Sequence, residues 1–570
     1  MVDLFPSRLL VSTLVVLFFA GACSATGDGR PTAAGADVDR PDAPSMELVR
    51  LVDVAADSGL DFRHSAFRWG TTGDPNAMMG GGLCWIDHDR DGWLDLFVVD
   101  TWSEGEWGRW RSEGALPSSR LYRNDRGRFI DVTEKVGAGL EVRGSGCVAS
   151  DLDGDGYTDL YVTTERENVL LWNAGGERFD IDDGSAGANA YGWHSGAAVG
   201  DVDGDGRPDL FVSGYADLNR PIPGASRGFP NPFQAEPDLL LLNQATDGDQ
   251  RPHFVDAAAA AGIEADGPEY GLGAIFSDVD RDGDLDLYVA NDTQPNRLYL
   301  NRRTDDGLGF RLEDIGASAG VADDNAGMGV ASGDYDGDGR SDLIVTNMAG
   351  QGHAVHRSLA SQGPPAYRNA IEEMGALDLG VGRTGWGVSW TDLDLDTDLD
   401  LVIAQGAIPV TDLDTDREQL QVFENRGAQG DPGAFLDATS SVDPDADNRF
   451  LGRGLAAADY DNDGDIDLAV GTVGGHLGLL RNTGAGGHWL VVAYEPAAPG
   501  TVVTVTTADG FTQEREHLAG SSYLSSADPR AHFGLGSEDE VATVRIRWPD
   551  GTEAVRSAVA ADQVLEVRPD

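Results

Sequence analysis

One nine-residue run, Asp-x-Asp-x-Asp-Gly-x-x-Asp, recurs seven times in this 570-residue chain. The copies are DHDRDGWLD at 87, DLDGDGYTD at 151, DVDGDGRPD at 201, DVDRDGDLD at 278, DYDGDGRSD at 334, DLDLDTDLD at 392 and DYDNDGDID at 459. Two carboxylates about 4 Å apart repel by about 4 kcal/mol at an effective dielectric of about 20, so a folded loop that gathers several of them needs a compensating charge. Side chains at positions 1, 3 and 5 converge if the backbone curls around one point. Gly at position 6 permits the sharp turn, position 7 offers its carbonyl, and Asp at position 9 closes the shell, as in the first part of an EF-hand loop. These donors are all oxygens on a flexible loop, which favours Ca²⁺ over Zn²⁺ or over octahedral Mg²⁺.

The expected cofactor is therefore Ca²⁺, up to seven ions. The predicted ligands are Asp87, Asp89, Asp91 and Asp95; Asp151, Asp153, Asp155 and Asp159; Asp201, Asp203, Asp205 and Asp209; Asp278, Asp280, Asp282 and Asp286; Asp334, Asp336, Asp338 and Asp342; Asp392, Asp394, Asp396 and Asp400; and Asp459, Asp461, Asp463 and Asp467. The copy at Asp392 is the weakest, because Thr397 stands where the others have Gly and a positive φ there costs on the order of 1 kcal/mol. The shorter run DLDTD at Asp412 lacks both the Gly and a following strand and reads as a surface loop.

The elements that must position these loops repeat with them. A Gly-containing stretch of small or apolar residues precedes each run (GGGLCWI, GSGCVAS, GLGAIFS), and an apolar strand follows it (LFVVD, LYVTT, LYVAN). Most units add a third strand ending in Asn, such as RLYRN or VLLWN, and several a fourth of the type FIDVT or FLDAT. Four short strands per unit and seven units predict a seven-bladed β-propeller. The fourth-strand pattern also occurs before the first loop, in LVRLVDVAADSGL at 48–60, and is missing after GLLRN of the last unit, so the N-terminal segment is expected to complete the last blade. Flanking helices of an EF-hand are excluded, since the residues after each loop are β-branched and aromatic.

Acids outnumber bases 97 to 41, for a formal charge of −56, which excludes nucleic acid and anionic membrane surfaces as partners. Residues 1–23 read as an export signal, with Arg8, an apolar run from Leu9 to Ala20 and AGAC ending at Cys23. AGAC fits a lipobox with Cys23 as the lipidated residue, the only expected membrane attachment; ordinary cleavage and secretion is the alternative. Residues 24–45, rich in Gly, Ala, Pro and Asp, read as a disordered tether. Cys84 and Cys147 stand three and four residues before their loops, so on equivalent strands they point to opposite faces; two buried free thiols are expected rather than a disulfide.

The hairpins around the acidic runs resemble the FG-GAP or VCBS-type repeats of integrin α-subunit propellers, and VANDTQPNRLYLN at 289–301 is similar to the cartilage acidic protein family. Residues 487–570, with GHWLVV, GSSYLSSADPRAHFGLG and VRIRWPDGTEAV, resemble the ASPIC/UnbV domain, although PGTVVTV at 499–505 departs from that domain's usual turn. The resemblance implies an all-β fold: an integrin-α-like propeller over 46–485 and an ASPIC/UnbV domain over 486–570, which its alternating pattern reads as a small antiparallel β-domain.

No catalytic constellation is expected. Ser522, Ser525, Asp528 and His532 lie within one short stretch, where turn chemistry outweighs a triad. The candidate contact surface is TWSEGEWGRWRSEG at 101–114, whose Trp102, Trp107 and Trp110 could stack on sugars, anchor a protein or cap the propeller's hole. The Pro-rich insertion at 219–238 could flank the same face. The function expected is a calcium-binding adhesion, scaffold or ligand-binding module outside the cytoplasm, in the envelope or secreted, whose partner is an extracellular protein or glycan; the alternative is a secreted carbohydrate-binding or carbohydrate-active protein.

Overall fold

The computed structural model describes residues 46 and 49–569, apart from 115, 245–250, 360–362, 377–378, 428–429, 431–432, 443–447 and 485. The signal, Cys23 and the 24–45 tether lie outside the described residues.

Among the described residues, seven sheets of four antiparallel strands follow one another before the C-terminal domain. In the first, Leu83–Ile86, Asp95–Val98, Arg120–Asn124 and Phe129–Asp131 pair in order, and the acidic loop is the turn between the first two. The sheets opened by Gly144–Ser150, His194–Gly200, Gly271–Ser277, Gly327–Gly333 and Gly385–Thr391 repeat this plan. The last sheet, Gly452–Ala458, Asp467–Thr472 and Gly478–Asn482, takes its fourth strand from the other end of the chain: Leu51–Asp53 pairs with it, Leu51 opposite Asn482. Each sheet's first strand packs against the first strand of the next, and Gly452–Ala458 packs against Leu83–Ile86, so the ring closes into a β-propeller.

Apolar residues pack in the seams between blades, which is why the second strands are buried on both faces and read as unbroken apolar runs. Between the last and first blades, Trp85, Tyr122 and Phe129 meet Ala456, Tyr460 and Leu479, with Trp85 stacked on Tyr460 at 6.1 Å. Five of the seven fourth strands end in an acid that leads into a one-turn helix: the carboxylates of Asp53, Asp131, Asp256, Asp314 and Asp437 each accept the amide two residues on.

This face-to-face packing corrects the cysteine expectation. Cys84 and Cys147 form a disulfide, with Cα atoms 6.2 Å apart. They do point to opposite faces of equivalent strands, but neighbouring blades present opposite faces to each other, so the two side chains meet in the seam.

The C-terminal domain is a two-layer sandwich. Thr512–Glu516, Val502–Thr506, Glu540–Arg547 and Glu553–Ala560 form an antiparallel layer. The facing layer sets His488–Tyr494 between Ala531–Gly536, antiparallel, and Gln563–Val567, parallel. That parallel pair departs from an all-antiparallel reading; the chain re-enters this layer after a hairpin in the other, a crossover that makes parallel pairing possible.

Residues 519–528 leave this domain and plug the ring. The amides of Val199, Cys147 and Trp85 donate to the carbonyls of Ala519, Leu524 and Ser526, and Val330 and Ser522 exchange both backbone bonds. Ser522 Oγ accepts the Val388 amide, Ser525 Oγ the Leu83 amide, and the Asp528 amide donates to Ala457. Gly82 and Gly146 are required at this approach, since a Cβ on either would stand 2.2 Å or 2.6 Å from Leu524. Tyr523 is fully buried, its hydroxyl donating to Met79 O at 3.1 Å and its ring edge-on to Trp386 at 5.0 Å.

Removal of residues 46–60 is expected to bare the Gly478–Asn482 edge and cause aggregation with a lowered melting temperature. Size-exclusion chromatography with thermal melting checks this; an unchanged monomer with an unchanged melt would contradict the pairing.

Candidate metal centres

The seven acidic runs share one backbone fold. The first Asp accepts the amides of positions 5 and 6: Asp91 and Gly92 on Asp87 at 3.1 and 3.0 Å, Asp282 and Gly283 on Asp278, Asp396 and Thr397 on Asp392. Positions 4 and 6 both take positive φ, from 57° at Arg90 and 85° at Gly92 to 60° at Leu395 and 91° at Thr397. The pattern exposes the demand at position 6 through its Gly; at position 4 Arg, Gly, Leu and Asn all occur, so the residue types there carry no sign of it.

The ninth Asp is buried in every loop. In six of them its carboxylate accepts the amide of position 2, and in all seven it accepts an amide from the third strand: His88 and Asn124 on Asp95, Val202 and Asn243 on Asp209, Leu393 and Asn425 on Asp400. His88 also hydrogen-bonds Asp95 through Nδ1, an imidazole the spacing did not count. The third-strand Asn then reaches the preceding blade. Asn173 donates to His88 O at 2.9 Å, Asn301 to Val202 O at 2.7 Å and Asn124 to Tyr460 O at 2.8 Å, so the repeated Asn is a staple between loops. The fifth blade has Ser358 there, whose amide alone serves Asp342.

Within the loops the carboxylates converge. Ligand oxygens of Asp87, Asp89 and Asp91, and of Asp278, Asp280 and Asp282, all lie within 4.8 Å of one another; so do those of Asp151, Asp153 and Asp159, and of Asp201, Asp203 and Asp209. Position 3 carries the clearest mark of a missing counter-charge: among the described residues, Asp89 Oδ1, Asp280 Oδ1, both oxygens of Asp394 and Asp461 Oδ1 are buried without a hydrogen-bond partner. Guanidiniums come near from the third strand, Arg123 at 3.6 Å from Asp89, Arg302 at 3.1 Å from Asp280 and Arg481 at 2.9 Å from Asp461, without capping those oxygens. Burial, reinforced by neighbouring carboxylates, pushes Asp286 and Asp342 up to about 8, Asp459 to about 7, and Asp87, Asp153, Asp203, Asp278 and Asp334 to about 6. An all-oxygen set with orphaned, crowded carboxylates suits a hard divalent cation held by positions 1, 3, 5 and 9.

The remaining candidates separate. Trp102 and Trp107 stack at 5.2 Å and line a cavity of about 570 Å³ between the first two blades, whereas Trp110 is buried against Trp69 at 4.9 Å. The 219–238 insertion sends Phe229 and Phe233 into the apolar cluster around Trp193 and Tyr215, away from that cavity. Ser522 and Ser525 serve the blade amides, Asp528 pairs with Arg530 at 2.7 Å, and His532 Nε2 donates to Gly464 O at 2.8 Å. The DLDTD run closes on itself, the Asp414 and Thr415 amides donating to Asp412.

Residues 492–570 match the family ASPIC and UnbV, and residues 87–162, 151–212 and 278–345 match the FG-GAP-like repeat. Human cartilage acidic protein 1 is 29% identical over 326 residues, 55% of this chain and 46% of that protein; the Xenopus tropicalis protein is 27% identical over 355 residues, 58% and 50%. The chain spans about half the length of these curated relatives. Among solved structures, an Agrocybe aegerita lectin recognising non-reducing terminal N-acetylglucosamine is 14% identical, covering 65% of this chain and 84% of its own at a TM-score of 0.35. The rhamnogalacturonan lyase YesW is 12% identical, covering 70% and 71% at 0.34. Both likenesses are too remote to bear on ligand or activity.

The raised carboxylates set a pH dependence. In chelator, between the ordinary value of 3.8 and folded values of about 6 to 8, the folded chain holds protons that the unfolded chain has lost, so stability is lost as pH rises through that window. Buried His64, His353, His194, His517 and His532, lowered to about 3 or 4, act oppositely below about pH 6.5. The melting temperature in EDTA should therefore fall from pH 6.5 to 8.5, and millimolar Ca²⁺ should flatten that slope; equal slopes with and without Ca²⁺ would contradict the site.

Proposed function

We propose that this chain of FG-GAP-like repeats and an ASPIC/UnbV domain is a calcium-stabilised binding module that works outside the cytoplasm, in adhesion, scaffolding or ligand capture. The observation that carries the reading is the set of buried position-3 oxygens without donors, which an ion in each loop would satisfy. The ion supplies positive charge that lets the carboxylates ionise; the chain's own residues do the rest, holding the blade loops in register. The Cys84–Cys147 disulfide supports an oxidising compartment, and Cys23 lipidation remains the proposed tether. An extracellular module of this kind is expected to bind Ca²⁺ with a Kd of about 10⁻⁴ to 10⁻³ M. At a hundredfold excess over Kd a single such site adds about 2.7 kcal/mol. Thermal melts across a Ca²⁺ titration, paired with elemental analysis, test it. An unchanged melt in excess EDTA with no metal in the protein would overturn it.

A second reading, carbohydrate binding, is favoured by the cavity beneath Trp102 and Trp107. Its volume of about 570 Å³ falls in the range of small-ligand sites. Its lining includes one buried donor and one buried acceptor without partners, Trp102 Nε1 and Asn189 Oδ1, beside an aromatic face on which a sugar ring could stack. A glycan array probed with the native chain and with Trp107→Ala separates the readings. Binding lost at least tenfold in the variant supports the saccharide site, and no binding by the native chain contradicts it.

A further inference from the structure

Three features coincide in the loop at 392 and not in any of the other six, although the C-terminal domain also touches the loop at 459, where His532 Nε2 donates to Gly464 O. First, Asp392, Asp394, Asp396 and Asp400 are 2%, 0%, 2% and 0% exposed, whereas the position-5 carboxylates Asp91, Asp155, Asp205, Asp282 and Asp463 are open to solvent and Asp338 is half-buried. Second, the cover is the C-terminal domain. The Gly536 amide donates to Leu395 O at 2.9 Å, and Gly534 lies so close that a Cβ there would stand 2.1 Å from Asp392 Oδ2 and 2.7 Å from Leu395 Cα. Third, the third-strand residue that brings a guanidinium to position 3 in other blades, Arg123, Arg357 or Arg481, is here Glu424, buried and paired with Arg426 at 3.3 Å.

Asp394 is the second, independent sign of a ligand. It has no exposure, and among the described residues neither of its oxygens has a hydrogen-bond partner. From the C-terminal domain, Arg515 brings a positive charge near Asp392, and its donors go to Gln513 Oε1 and Glu514 O. An ionised Asp394 buried with no partner costs far more than a hydrogen bond returns, and short of protonation a cation beside it supplies the compensation.

We infer that the sixth loop holds a cation sealed beneath the C-terminal domain, so that ion binding there and docking of the domain on the ring stabilise each other. The inference rests on the calcium reading of the loops and adds a division among them: the solvent-open loops exchange their ions freely, while the sixth exchanges only when the domain lifts. Coupling of this kind is reciprocal, so whatever loosens the domain weakens the ion by the same factor.

The test is calcium release from the loaded full chain, mixed rapidly with excess chelator and followed with a fluorescent calcium indicator. Two phases are expected, with one ion per chain leaving at least tenfold more slowly than the rest. Asp394→Asn should abolish the slow phase. Gly534→Ala, which pries the domain from the loop, should merge it with the fast phase while the total calcium bound at saturation stays the same. Asp153→Asn, in an open loop, should remove a fast ion and leave the slow phase. Circular dichroism and elution volume establish that each variant is folded, and Asp394→Asn and Gly534→Ala act by different routes, one in the loop and one in the domain over it. Release in a single phase from the native chain, or a slow phase that survives both Asp394→Asn and Gly534→Ala, overturns the sealing. Native chain that releases no calcium at all overturns the calcium reading and this inference with it.

Discussion

The ninth aspartate of each loop, buried from solvent, accepts an amide from the third strand and, in six loops, one from position 2, so that a single carboxylate ties the turn and two strands of a blade together. Hydrogen bonds to a charged acceptor contribute about 1.5–3 kcal/mol each, but only while that acceptor is ionised. Three further carboxylates a few residues away work against that ionisation, which is why burial and like charge together raise Asp286 and Asp342 so far. Placing a cation in the loop resolves the conflict, turning the crowded acids from a cost into the fixed point from which each blade is hung.

Much of this was legible in the sequence because the loop demands residue types at fixed spacing. Asp at 1, 3, 5 and 9, the apolar runs on either side and the recurring Asn each report a local constraint, and seven copies in phase outweigh any single ambiguity. The role of Asn was hidden, since its partner is the carbonyl of the preceding blade, about 85 residues away for Asn173 and His88. The disulfide was misread for a related reason: facing directions within one strand were right, but the packing of opposite faces across the seam is a tertiary fact. The sixth loop shows the same limit. Its Thr397 marks it as the poorest copy by local rules, while its burial under Gly534 and Gly536 makes it the most demanding of a cation.

The plug at 519–528 was the least legible element. GSSYLSSADP has no apolar periodicity, and its partners are backbone amides of the innermost strands, which any sequence supplies. Only the small residues that admit it, Gly82 and Gly146, leave a trace, and glycine is common throughout the chain. The consequence for function is that the C-terminal domain is bound into the ring's centre as well as over its loops. The cavity beside Trp107 is lined by residues of the first two blades.

The most direct measurement is the anomalous scattering of calcium in crystals of the chain grown with millimolar Ca²⁺. A difference peak is expected in each of the seven loops, within about 2.3–2.6 Å of carboxylate oxygens at positions 1, 3 and 5, including the loop at Asp392. Ordered loops without a peak, or peaks held only by water outside the carboxylates, would contradict the calcium reading.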